Sequence, residues 1–222
     1  MVPVDIKELH TSSPENRRSL TVIEAIFADG SLPPPPAIIC PGVRYMEHWF
    51  SENMLGKELI LTSYTGYTNE EIALEWLAHF VKHTNSGPDK PWKILLLDGH
   101  STHEAPVFVL NALYNHIDLI QFPSHMTHVL QPLDVKHWHN QAIINAVQSF
   151  YLEYSIYSFF RDLKEIREKT FKHDTIFHAF KDSKMWPVSW KAAQKIMREY
   201  KKNHHVFNDS EKINLPPIPQ TN

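Results

Sequence analysis

A chain of 222 residues with 42% hydrophobic and 21% charged residues has room for one sizeable buried core, with or without an appendage. No apolar run approaches the roughly 20 residues of a membrane-spanning helix, the first residues lack the basic start and apolar stretch of a secretory signal, and the single cysteine, Cys40, excludes an internal disulfide framework and suits a reducing compartment. The expectation is an intracellular protein without membrane attachment, whose net charge of −3 hides a basic stretch: residues 161–202 hold 12 Lys/Arg against 6 Asp/Glu, and the remainder 10 against 19.

Residues 20–28, LTVIEAIFA, form a β-branched and aromatic run closed by the turn signal Asp29-Gly30. Pro33 to Pro36 make a rigid link, and Ala37-Ile38-Ile39-Cys40 reads as a second short strand before Pro41-Gly42, so the two runs are expected to pair as an antiparallel hairpin. ELILT at 58–62 reads as another strand. Thr68 or Asn69 can cap a helix over 70–84 with Ile72, Trp76, Leu77 and Phe80 on one face, and Gly87-Pro88 breaks it.

WKILLL at 92–97 lacks polar alternation, which predicts a central strand buried on both faces. Pro106 suits the first turn of a helix over 105–115, and IDLIQF at 117–122 reads as the next strand, giving the spacing of a right-handed parallel crossover. Asp134 opens a helical pattern that runs to about residue 154. Residues 159–202 read as several helices broken at Trp186-Pro187, with basic and aromatic side chains interleaved. That stretch suits either a phosphate-tracking surface or a solvated helical face. Cys40, Trp49, Trp76 and Trp92 are read as packing residues. Trp138 and Trp186 are read the same way, with base stacking as the alternative.

Two aspartates carry the chemistry. Asp98 ends the apolar strand in Leu97-Asp98-Gly99-His100, and Asp134 follows in Gln131-Pro132-Leu133-Asp134-Val135 with 35 residues between them. A carboxylate at the C-terminal end of a parallel strand lies where α/β proteins place their ligand crevices. A second on a helix starting beside that strand can face it. Such a pair suits Mg²⁺, which takes one or two carboxylates together with substrate phosphates and water. The plain structural uses are a turn at Asp98-Gly99 and a helix N-cap at Asp134. Of the 15 histidines, His100 and His103, His125 and His128, and His137 and His139 cluster around the aspartates. They can contact phosphate or, as neutral imidazoles, form a zinc hydrolase site.

Three stretches belong together: SPENRRSLTVIEAIFADGS, LLLDGHSTH and IDLIQFPSHMTHVLQPLDV. Over about residues 13–190 they resemble the DDE superfamily endonuclease domain, in the pogo/Tigger and centromere-protein-B-related branch of cut-and-paste transposases and most closely its fungal members. The resemblance implies an α/β, RNase H-like mixed sheet over 13–155, a helical extension over 156–204 and a disordered tail over 205–222. It also implies an acidic triad binding Mg²⁺ or Mn²⁺, with Asp98 at the second position and Asp134 at the third. The associated reaction is hydrolysis at a transposon end followed by strand transfer. DNA is the implied partner and the nucleus the implied location; a homodimer is compatible. His100, His103, His125, His128 and Lys136 then border the DNA.

The family's first aspartate lies on a strand upstream of the segment matching 13–31, and neither Asp5 nor Asp29 stands in that context. Its helix-turn-helix DNA-binding region has no counterpart either. Tyr64 stands where relatives often have an acidic residue, and Lys136 where a small one is usual. The expectation is therefore a transposase-derived DNA-binding protein with little or no nuclease activity, its sheet divided where the central first strand would lie. A non-catalytic DNA-binding module and a decayed fragment without a stable fold are the alternatives.

Overall fold

The computed structural model describes residues 20–50, 54, 56–98, 101–123, 126–135 and 155–203. Strand β1 (Thr21–Ile23) runs antiparallel to β2 (Ala37–Pro41), with Thr21 opposite Ile39 and Ile23 opposite Ala37. The expected run over 20–28 is strand only as far as Ile23, because its partner begins after Pro33 to Pro36. Prolines lack the N–H that would continue the ladder. The chain turns at Asp29-Gly30, where Gly30 takes a φ of +75° and the Asp29 carboxylate accepts from Ser31 N at 2.9 Å. Strand β3 (Leu59–Ser63) then lies parallel to β2, Ala37 facing Leu59.

Helix α1 (Glu70–Thr84) begins where Asn69 Oδ1 accepts from Ile72 N at 2.8 Å, and it ends on Asn85 in the left-handed region. A second, separate sheet follows: β4 (Lys93–Leu97) and β5 (Ile117–Gln121), parallel, with Leu97 opposite Gln121. They are joined by α2 (Pro106–Tyr114), which opens on Pro106 as its sequence predicts. The expectation of an α/β fold with a divided sheet therefore holds. Among the described residues β1 and β4 are each hydrogen-bonded to one strand, and no strand joins the two sheets.

What unites them is α1. Ala73, Trp76, Leu77 and Phe80 pack in one core with Ile23, Ala37 and Leu59 from the first sheet and Leu95, Leu97, Ile117 and Leu119 from the second. Alternation along β2 sends Ile38 and Cys40 to the opposite face, where α5 (Ile156–Thr170) covers them with Phe159, Phe160 and Leu163 beside Trp49. Among the described strands β2 is thus the one buried on both faces, over Ala37 to Cys40. The expectation that WKILLL would be so is corrected: Ile94 is 66% exposed, and Trp92, read as a packing residue, lies at the surface stacked on His116. Helix α5 covers the second face of the first sheet, leaving the same face of β4 shielded only near its C-terminal end.

That shield is a third layer. Short helices α3 (Thr127–Leu130) and α4 (Pro132–Val135) follow β5. Phe122, Met126, Val129 and Leu130 then pack with Leu96, Met185 and the residues Ala193, Ile196 and Met197 of α7 (Trp190–Asn203). Helix α6 (His173–Asp182) lies against α4. The helical pattern expected from Asp134 to about residue 154 is described only as far as Val135, and the expected tail lies outside the described residues.

Candidate active site

Asp98 is the first residue beyond β4, with its side chain 50% exposed. Its Oδ1 lies 3.3 Å from Nδ1 of His103, which belongs to a single helical turn, Ser101–His103. The imidazole is mostly buried, between Trp76 of α1 and Phe108 of α2, at ring-centroid distances of 6.4 and 5.3 Å. The two helices of the main core thereby fix a polar ring against the carboxylate, which restricts where Asp98 can swing. Nδ1 thus faces the carboxylate at ion-pair range, without the alignment of a hydrogen bond.

Asp134 is the third residue of α4, half-buried, and its N–H donates to Gln131 O at 2.9 Å. It therefore sits inside a short helix. Phe122 N donates to Leu97 O at 2.9 Å, tying the ends of β4 and β5 together. The α3–α4 turn is seated on the same end through Met126 and Leu130. Asp98 thus stands at the C-terminal end of the parallel pair, and Asp134 lies on the short helix that follows the α3 turn docked there. His128 lies in α3, while His100, His125, Lys136, His137 and His139 fall outside the described residues.

Among the described residues no three His, Cys, Asp or Glu side chains gather as a metal site. The zinc alternative, which needs three or four protein ligands, has no such group there. Two half-accessible carboxylates offer oxygen donors of the kind a hard cation completes with water and phosphate. Cys40 is no nucleophile: burial pushes its thiol up to about 11.

Sequence reading located Asp98 and Asp134 but not the cradle of His103, which depends on two helices separated in the chain. It also missed the ion pair of Arg167 on α5 with Glu24 just beyond β1, both buried, with Arg167 Nη2 donating to Pro34 O at 3.0 Å. Nothing local in the sequence distinguishes that arginine from its exposed neighbours.

A carboxylate at the C-terminal end of a parallel strand, in a mixed α/β fold, stands where proteins of this class place their ligand crevices. The particular family is clear: the chain matches the DDE superfamily endonucleases over residues 16–196 and belongs to them. Proteins of this superfamily generally use divalent metals. The chain is also 34% identical over 122 residues to a Cochliobolus lunatus protein named MFS-type transporter clz9, a stretch making up 55% of this chain and 13% of that one. It spans only a small part of that relative. No solved structure matches. Among the described residues no helix is long and apolar enough to cross a membrane.

Proposed function

We propose that this chain is a transposase-derived DNA-binding domain of the pogo/Tigger branch. In this reading Asp98 and Asp134 are two carboxylates of a Mg²⁺- or Mn²⁺-dependent site for DNA strand cleavage and transfer, and the chain as it stands has little or no nuclease activity. The observation that carries the proposal is Asp98 at the C-terminal end of the parallel pair β4–β5 in a DDE superfamily endonuclease domain, with Asp134 on α4 as its expected partner. The blocks DGHSTH and QPLDV support the branch, and a nuclear location and a homodimer belong to the same reading.

Asp98 and Asp134 would hold the cation, and His103 is a positioning residue that orients Asp98. When bound, a divalent ion activates a water or 3′-hydroxyl and stabilises the leaving oxygen of the phosphodiester. Two carboxylates would leave most of a cation's positions to other oxygens, and in-line displacement needs those oxygens held in place. The transporter name of the Cochliobolus lunatus protein is not carried over, since the match covers 13% of it.

The test is cleavage of supercoiled plasmid and of labelled duplex in Mg²⁺ or Mn²⁺. We expect the chain and its Asp98→Ala variant to be indistinguishable at background. A cleavage activity that Asp98→Ala abolishes would overturn the inactivity while supporting the assignment of the site.

A further inference from the structure

We propose that the corner between α6 and α7 is a stacking platform for single-stranded DNA, distinct from the two aspartates. The idea rests on the reading of the chain as a DNA-handling domain. The sequence reading made Trp186 a packing residue with base stacking as the alternative; the structure corrects the first, leaving Trp186 51% in solvent, with Trp190 48% exposed four residues on.

The corner is built rigidly. Ser183 is completely buried and its Oγ donates to Phe180 O at 3.0 Å. The N–H groups of Met185 and Trp186 both donate to that same carbonyl, at 3.1 and 3.2 Å, and Ser189 N donates to Lys184 O at 3.3 Å. Met185 points inward and packs with Phe122 and Met126. The backbone is therefore pinned on both sides of Trp186 while the indole is left out. A half-exposed indole held on a fixed turn presents aromatic surface to solvent in one defined place.

Its surroundings are cationic. Lys181 closes α6, Lys184 lies in the turn, and Lys191 and Lys195 occupy the first turns of α7. Asp182 and Glu199, the latter 3.8 Å from Lys195, offset part of this charge. Indole faces beside ammonium groups are the chemistry that holds unpaired bases and their phosphates without regard to sequence. A duplex hides its base faces and offers an indole nothing to stack on, so the committed partner is the single strand.

Position favours the same partner. Helix α7 shares a core with Phe122, Met126 and Leu130, and α6 packs on α4, the helix of Asp134. The corner thus belongs to the layer that seats Asp134, where a strand leaving the sheet end would run.

The experiment uses the full chain, a fluorescent oligothymidine of about 16 nucleotides, and no divalent metal, with binding read by anisotropy. We expect saturable, salt-sensitive binding that unlabelled single strand displaces better than duplex. Trp186→Ala/Trp190→Ala should weaken it about tenfold or more, and Trp186→Phe/Trp190→Phe should restore most of the loss. Absence of binding, or equal affinity in the alanine pair with an unchanged melting temperature, would overturn the proposal. So would an alanine pair that abolishes self-association and leaves DNA affinity intact, since the corner would then join copies of the chain. Should the alanine pair itself melt early, Lys184→Gln/Lys191→Gln carries the test, and unaltered affinity there rejects the platform. Because no metal is present, this result and the cleavage result can each fail alone.

Discussion

Arg167 is where a single residue matters most to the fold. Its guanidinium is buried between Glu24 and the carbonyl of Pro34, with the ring of Phe171 5.1 Å away. This one side chain ties α5 to the end of β1 and to the proline link. A buried ion pair contributes little over a well-packed apolar pair, because desolvation offsets the attraction. Removing one partner, however, leaves a charge with nothing to balance it, at a cost of about 3–5 kcal/mol. Arg167→Met should therefore lower the urea midpoint steeply. Combining it with Glu24→Met should recover much of the loss, read as coupling in a double-mutant cycle. If the two single variants are mild and simply additive, the pair does not hold α5 in place.

At the scale of elements, most of the site's scaffold was legible. The cap was narrowed to Thr68 or Asn69, short side chains that can accept from an early amide, and Asn69 is the one that does; Pro106 was legible because its missing N–H costs nothing in a first turn. Asp98 was legible because the apolar run before it could only be a strand. The errors have one origin. Length and hydrophobicity identify a strand, but which faces are covered depends on elements distant in sequence. Strand β2, with four buried residues from Ala37 to Cys40, lies between α1 and α5, while β4 is left partly bare. The packing reading of Trp186 failed for the same reason, since it is the neighbouring Met185 that packs against the core.

Helix α1 is the element on which both sheets depend. Trp76 is buried, packs beside Phe80 and Phe108, and reaches the ring of His103. Trp76→Ala should cost about 3–5 kcal/mol, and amide exchange should accelerate together in β2 and in β4–β5. Loss of protection in one sheet alone would mean that α1 does not couple them. The same variant releases the ring that holds Asp98, linking the core to the candidate site.

Among the described residues no strand joins the two sheets, which raises the question of whether the whole chain folds as one unit. Strand edges without a partner are sites for unwanted pairing, and a fragment with no stable fold was one reading of the sequence. Against it stands the continuity of packing: one core contains residues of both sheets, α1 and α2, and α5 closes the far side of the first sheet. Cores that share a helix cannot easily be lost separately. The chain should therefore unfold in a single thermal transition, with far- and near-ultraviolet circular dichroism changing together. Since no three-ligand cluster occurs among the described residues, a chelator should leave that transition where it is, whereas a structural zinc site would make it collapse. Two separated transitions would assign the sheets to independent units. A gradual, non-cooperative melt would instead support the decayed fragment, and with it the loss of any defined site at Asp98 and Asp134.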